Sequence, residues 1–499
     1  MLLIIPFVIP LFSFFLQTYP RFFNKYFGVD VWTRLLEIDH VKRARHKIPG
    51  KITKGFLIEG YFDYPIIFPW LFSFVPKKRL LKIQGFVSPF FDMLQNILVF
   101  FIAYQLTSNF QISIISQLIY SLIPMIPIEN SYMTPRSMGY LGFTLSLMPL
   151  LFFQSTNNLL FLCLGFFFTC LLFIIHRFAL QSLIFASIFL TFYDKSLLYI
   201  LNLVLAFITI TILTKGYYLR VAKGHFYNIY FWVKNYKFRF AHQIYGNQEE
   251  KKLDWVGKIY KLLSVFSPIF LFGINLWMLS GFVFLFLLNQ PNVISLPKNP
   301  IFIKFSVLII FFYFSGAVIL KIKRLIPIGE GQRYSEMTTV PTAILSSILF
   351  FAFYTKFGFI ALIIFIILCM INLILILMIQ INGVIKDKNR SITKELFEAF
   401  TFINKLKGTP RIICIPHQNT TMTAYHTKAD ILVNADNPGL MKIQDVYPIL
   451  KKNIEEIKKE YKLDYLLLRE TFVPLKALKI KNPKIIFKSG DVLLIKLAK

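Results

Sequence analysis

Runs of apolar residues return along this chain at 1–19, 86–107, 112–127, 136–153, 157–175, 178–192, 196–214, 264–288, 301–320, 339–357 and 358–381. Most are close to the roughly 20 residues an α-helix needs to cross a hydrocarbon core of about 30 Å, and the shorter ones can be re-entrant. The pattern predicts an α-helical polytopic membrane protein with about eleven transmembrane helices. With 56% of its residues hydrophobic and 17% aromatic, the chain is too apolar for a soluble globule of its length. Residues 1–19 lack a basic start and a small-residue cleavage site, so they read as a retained first helix and not as a signal peptide.

The polar remainder is strongly basic, with 55 Lys and Arg against 25 Asp and Glu and a formal charge of +30. Lys and Arg that flank membrane spans meet anionic headgroups. Some can instead hold a phosphate-bearing substrate. Nucleic acid is not an expected partner, because the charge is scattered and no nucleic-acid motif stands out. Cys163, Cys170 and Cys369 lie in apolar spans and Cys414 stands apart, which predicts neither a disulfide framework nor a metal site.

The spans delimit the domains. Residues 1–381 read as the transmembrane domain, with a long first loop at 20–85 and a basic, aromatic interfacial segment at 215–263. Within the first loop, apolar residues at 32, 35, 36, 38 and 41 follow a helical period. They predict a surface helix over 31–46 with Arg34, Lys42, Arg43 and Arg45 toward headgroups. Residues 382–499 read as a small soluble α/β domain. Its expected elements are a helix at 394–406, a strand at 411–415, a helix at 445–461, a strand at 463–468 and a terminal hairpin turning at Ser489-Gly490-Asp491. Val446, Ile449, Leu450, Ile454 and Ile457 mark the core face of the second helix.

Three loops beside spans each pair a carboxylate with an arginine: Asp30 (Asp39 as alternative) with Arg34, Glu129 with Arg136, and Glu330 with Arg333. By span parity all three fall on one membrane face. A carboxylate can take the proton of an attacking hydroxyl. A guanidinium can grip a phosphate leaving group through two hydrogen bonds. If the three carboxylates converge, Mg²⁺ or Mn²⁺ fits among them; no metal ligand is assigned. His176-Arg177 reads as a helix-end cap or snorkelling pair, and His417 and His426 lack a third ligand at zinc spacing. No phosphate loop, nucleophile elbow or HExxH is present.

These residues resemble the C-type integral-membrane glycosyltransferases, which take sugars from polyprenyl-phosphate or -pyrophosphate donors. Asp30-Val-Trp32 resembles the acidic motif of the first external loop. Asp63-Tyr-Pro65 and Phe68-Pro-Trp70 are similar to the Tyr-Pro segment that closes that loop. Glu129, before Thr134-Pro-Arg-Ser-Met-Gly139, looks like the second acidic position, and Gly329-Glu-Gly-Gln-Arg-Tyr334 resembles a late loop of bacterial and archaeal members. The tail resembles their C-terminal α/β domain. Two features depart from the family: Asp30 has Val31 and not a second carboxylate beside it, and the Trp-Trp-Asp motif of oligosaccharyltransferases is absent, which argues against transfer to peptide asparagine.

The resemblance implies a sugar transfer from a polyprenyl-phosphate-linked donor to a lipid or glycan acceptor at the extracytoplasmic face of the cytoplasmic membrane. Asp30 and Glu129 would be catalytic, and Arg333, Tyr334, Glu330, Arg136, Trp32 and Tyr64 would bind substrate. The extracytoplasmic orientation follows from the resemblance alone, since the basic loops oppose it under the positive-inside rule. The tail is expected on the same face as Asp30, roofing the cavity. The alternatives are a transporter or flippase, or a polymerase or ligase, of lipid-linked glycans. A transporter tends to carry its polar residues near the span midplane, whereas here charges cluster in loops.

Overall fold

The computed structural model describes residues 4–52, 55–238, 267–433, 438–480 and 482–497. The chain divides into two compact units. The first is Met1–Lys25, Ile83–Tyr218 and Leu253–Lys386; the second is Tyr26–Lys82, Leu219–Lys252 and Asp387–Lys499.

The first unit is helical. Among the described residues, five helices are long and apolar enough to cross a membrane: Lys77–Thr107, Arg136–Thr156, Pro300–Lys321, Thr339–Phe357 and Phe359–Ile385. Two bent pairs raise the number to seven if each is one span: Leu198–Leu213 with Tyr217–Lys234, at 116°, and Pro268–Ile274 with Leu276–Leu288, at 106°. That is fewer than the eleven or so crossings expected. Several apolar runs make helices too short to span: Ile5–Thr18, Phe110–Ser121 and Leu159–Phe173 have 14, 12 and 15 residues. At 1.5 Å per residue the longest of these reaches only about 22 Å. The run at 264–288 breaks at Asn275, between its two helices.

Asparagines start the helices that leave the short polar turns. The Asn109 carboxamide oxygen accepts from the Ile112 amide at 3.0 Å, and that of Asn158 accepts from Leu160 at 2.9 Å. Each satisfies an amide that the first helical turn leaves open. His176 does the same with its imidazole, which accepts from the Ala179 amide at 3.2 Å. It is a helix cap, as its position between two runs predicts.

The second unit is built on a five-stranded sheet. In chain order its strands follow β1 (Lys51–Ile52) and β2 (Gly60–Tyr61), a two-stranded antiparallel ladder of the first loop. They are β3 (Arg411–Ile415), β4 (Asp430–Ile431), β5 (Tyr465–Arg469), β6 (Lys484–Ser489) and β7 (Val492–Lys496), ordered β4-β3-β5-β7-β6. β3 runs parallel to β4 and β5, while β7 runs antiparallel to β5 and β6. Ile413, Ile415, Leu466, Leu468, Leu493 and Ile495 carry one face of the sheet into the core, together with Val446, Leu450, Ile454 and Ile457.

The first loop is part of this unit. The Leu57 amide donates to the Ile431 carbonyl at 2.9 Å, and the Ile431 amide to the Gly55 carbonyl at 3.1 Å, so the loop pairs with the edge strand β4. An open strand edge is a row of unsatisfied donors and acceptors, and this pairing covers it. Phe231, from helix Tyr217–Lys234, enters the same core and stacks on Tyr447 with ring centroids 5.8 Å apart. Most of the interfacial segment, 239–263, lies outside the described residues.

Two expectations change here. The helix over 31–46 forms as Asp30–Arg43, but its apolar face packs inside the second unit: Trp32 lies 5.6 Å from Tyr425 and 4.8 Å from His426, ring to ring. Arg34 is buried and paired, so it is not turned to headgroups. The helix over 445–461 is only Ile454–Tyr461. Pro448 cannot sit in a helix interior, and the Asn453 carboxamide oxygen caps the later start by accepting from the Glu456 amide at 2.9 Å. Asp445 instead pairs with Lys452 at 2.7 Å.

Candidate active-site residues

In the first unit, the short helix Met125–Glu129 ends on one carboxylate and helix Arg136–Thr156 begins on an arginine. Glu129 and Arg136 form an ion pair across the intervening loop. The loop is held from below by Ser88, whose hydroxyl bonds the Tyr132 carbonyl at 2.8 Å and accepts from the Thr134 amide at 3.0 Å. One turn further along the same helix, the Asp92 carboxylate accepts from Gln17 at 2.5 Å and from the Tyr120 hydroxyl at 2.7 Å. This fully paired acid ties three helices together. It was legible as the lone charge in the run at 86–107, where an ionisable residue is costly and retained for a reason.

The late loop folds as helix Gly331–Glu336. Arg333 pairs with Glu330 at 3.3 Å and stays about 29% exposed. Tyr334 is fully buried among Phe178, Phe185 and Phe312. Its hydroxyl accepts from Gln181 at 2.6 Å and donates to the Ile328 carbonyl at 3.2 Å. Burial pushes its phenol up. Tyr334 thus anchors the loop.

Glu336 escaped sequence reading. It is 2% exposed, and neither carboxylate oxygen has a hydrogen-bond partner among the described residues. Burial raises its carboxyl to about 7, with the Arg136 guanidinium opposing the shift. Arg136 is thus paired with Glu129 and also acts electrostatically on Glu336. Glu336 lies three residues after Arg333, on the same face of their short helix.

In the second unit, Asp30 is exposed in the first turn of its helix, where the helix dipole favours a carboxylate. It makes no hydrogen bond or ion pair among the described residues. Asp39, the alternative, is engaged by Arg43 at 2.5 Å. Arg34 binds Glu37 at 2.7 Å and lies over the Tyr64 ring at 3.8 Å, so this part of the motif is an internal clamp. Trp32 is 0% exposed and packs in the core of the second unit. Gly224 lies against the Asp63 carboxylate with no room for a Cβ. A small cavity of about 30 Å³ is lined by Glu37, His40, Asp63, Tyr64 and Thr421 among others. Burial, and then Arg43, push the His40 imidazole down to about 4, with Asp39 opposing. No cluster of three His, Cys, Asp or Glu suited to a metal occurs among the described residues.

No protein-family description matches the sequence, and no curated protein matches it either. Solved structures do. The oligosaccharyltransferase of Archaeoglobus fulgidus, in complex with Zn and sulfate, superposes with a TM-score of 0.59 at 12% identity, covering 92% of this chain and 68% of that one. The same enzyme tethered to an acceptor peptide containing the NVT sequon also gives 0.59, at 10% identity, covering 93% and 68%. The chain has the C-type glycosyltransferase fold. The superposition covers about two thirds of the archaeal enzyme. The fold agrees with the resemblance carried by Asp30, Glu129 and the Gly329–Tyr334 loop.

Besides these loops, the first unit of the glycosyltransferase fold carries an apolar groove of about 580 Å³. Trp277, Phe350, Phe353, Phe357 and Phe365 line it. It runs along helix Thr339–Phe357, which leaves the Glu336 loop directly.

Proposed function

We propose that this protein is a membrane glycosyltransferase that moves a sugar from a polyprenyl-phosphate-linked donor to a hydroxyl of a lipid or glycan acceptor at the extracytoplasmic face. The observation that carries the reading is the C-type glycosyltransferase fold over more than nine-tenths of the chain, with arginines beside carboxylates at the span ends. In this reading Asp30, the carboxylate left uncommitted, deprotonates the acceptor hydroxyl. Arg333, with Arg136, holds the phosphate leaving group, where a guanidinium matches the oxygens of a phosphate. Glu129 and Glu330 orient those arginines. The aromatic groove in the same unit suits the isoprenoid tail of the carrier.

A hydroxyl acceptor fits better than a peptide asparagine, because the chain lacks the Trp-Trp-Asp motif. The test is to incubate purified protein with a radiolabelled polyprenyl-phosphate sugar and envelope glycolipid. Label appearing on the acceptor supports the reading. Label crossing a liposome membrane still attached to its carrier, without transfer, would make the protein a flippase.

A further inference from the structure

We propose that helix Ile67–Ser73 and the turn at 45–48 form an interfacial anchor that binds the headgroups of anionic phospholipids. The helix has two faces. Phe68, Pro69 and Ser73 are buried. Trp70, Leu71 and Phe74 are left 39%, 39% and 56% exposed. Trp70 and Phe74 meet edge to face at 5.3 Å, so their rings form one apolar ridge. His46 fixes the turn to this ridge. Its ring stacks on Phe74 with centroids 4.2 Å apart, and its Nδ1–H donates to the Ser73 hydroxyl at 2.7 Å. That hydroxyl donates in turn to the Trp70 carbonyl at 2.7 Å, which leaves its lone pairs for the imidazole. The exposed Arg45, Lys47 and Ile48 are thereby held beside the ridge.

Connectivity decides what covers this face. The chain runs on from Phe74 to Lys78, Arg79 and Lys82, all exposed, and no Asp or Glu occurs from 64 to 91. Lys77 lies over the Tyr425 ring at 4.3 Å, while the other three take part in no ion pair among the described residues. These cations open helix Lys77–Thr107, which is long and apolar enough to cross a membrane. Its 31 residues reach about 46 Å, well beyond the roughly 30 Å of hydrocarbon. The turn that carries Lys78, Arg79 and Lys82 therefore stands outside the hydrocarbon. Phe74 precedes that helix by no more than about 11 Å of chain. The ridge is thus at headgroup depth, where aromatic rings settle and cations meet anionic lipids. The interfacial role expected of 31–46 falls to 67–74 and 45–48 instead. Helix Asp30–Arg43 packs against helix Ile67–Ser73, so the anchor also ties the helix of Asp30 to the bilayer surface.

The test uses the full-length protein in lipid nanodiscs, one copy per disc, with its four cysteines replaced and a fluorophore attached through Leu71→Cys. Leu71 is exposed, so the label displaces no core packing. Two discs of the same mixture of phosphatidylcholine and phosphatidylglycerol are compared, with quenching bromines on the acyl chains of one lipid or of the other. Quenching in either disc reports that position 71 sits in the interface, and the ratio reports which lipid lies beside it. A surface Lys or Arg strengthens attraction to an anionic membrane about fivefold, so phosphatidylglycerol should quench at least about twofold more strongly. Lys78→Glu with Arg79→Glu should abolish that excess, and an excess that persists overturns the proposal. If the double variant does not fold, salt decides: at about 1 M the Debye length is only about 3 Å, and an excess that survives there overturns the proposal. Equal quenching by the two lipids also overturns it, as does quenching by neither. A label that leaves water only in discs holding two copies would make the face an interface between copies. No sugar donor is involved, so these outcomes are independent of the transferase reading.

Discussion

Gly331 and Gly316 meet backbone to backbone: a Cβ on Gly316 would lie 2.6 Å from the Gly331 carbonyl oxygen, and one on Gly331 would strike the Gly316 carbonyl in turn. The helix that carries Arg333 and Glu336 is thereby seated directly on span Pro300–Lys321. No side chain can separate the two.

Gly316→Ala should displace that helix. Overpacking of this kind costs about 1–3 kcal/mol. The displacement also moves Arg333, so transfer activity should fall by more than the loss of folded protein accounts for. Gly273→Ala, at a site with nothing within 4 Å, is the matched control. Thermal unfolding in detergent and transfer assays on the two variants check this. Equal behaviour would mean that the glycine contact does not position the loop.

Asp30→Asn should lower activity by about 10²–10⁴, the usual worth of a general base, while leaving folding and donor binding intact. Asp30 is exposed and uncommitted, so removing its charge leaves no partner behind. Asp39→Asn should cost only the Arg43 pair, a half-exposed contact on a helix surface. If the Asp39 variant is the inactive one, the base has been misassigned.

What the sequence made legible was periodic or local. Runs of apolar residues located the spans, RIICI and LDYLLL located two adjacent parallel strands, and Ser489-Gly490-Asp491 located the turn of the hairpin. What it hid was long-range. The helical period at 32–41 tells that one face is apolar, and does not tell what covers it. A membrane surface and the Tyr425-His426 edge of a domain nearly four hundred residues later look the same from there. Glu336 was hidden for a similar reason. A carboxylate beside a polar loop reads as solvated, and its burial depends on what the rest of the fold packs around it.

Partly buried histidines make the second unit sensitive to acid. His417 and His426 are each pushed down to about 4 by burial; hydrogen bonding to Val446 opposes the shift at His417, and Lys77 adds to it at His426. His40 behaves alike. In the folded protein these rings stay neutral, whereas in the unfolded chain they take up protons below about 6.5. Stability is therefore full above about pH 6.5 and falls as pH drops toward 4. His426→Phe should flatten part of this slope, because His426 packs on Phe400 and Trp32 through its ring face. Melting temperatures between pH 4 and 7 for wild type and variant provide the measurement, and identical slopes would contradict the assignment.

The face of the membrane on which the tail lies decides between the extracytoplasmic reading and its inverse. Lys452 is a suitable reporter. Its side chain is 39% exposed and pairs with Asp445 and Glu460 at 2.7 and 2.6 Å. Exposed pairs of this kind contribute little to stability, so Lys452→Cys should fold normally. The four native cysteines would be replaced first, since Cys163 is exposed among the described residues. A membrane-impermeant maleimide added to intact cells or spheroplasts should then label position 452. The basic loops argue for the opposite outcome, because short Lys- and Arg-rich connections are normally retained in the cytoplasm. Labelling only after the membrane is opened would place the tail inside, and a transferase that meets its lipid-linked donor outside would no longer be tenable.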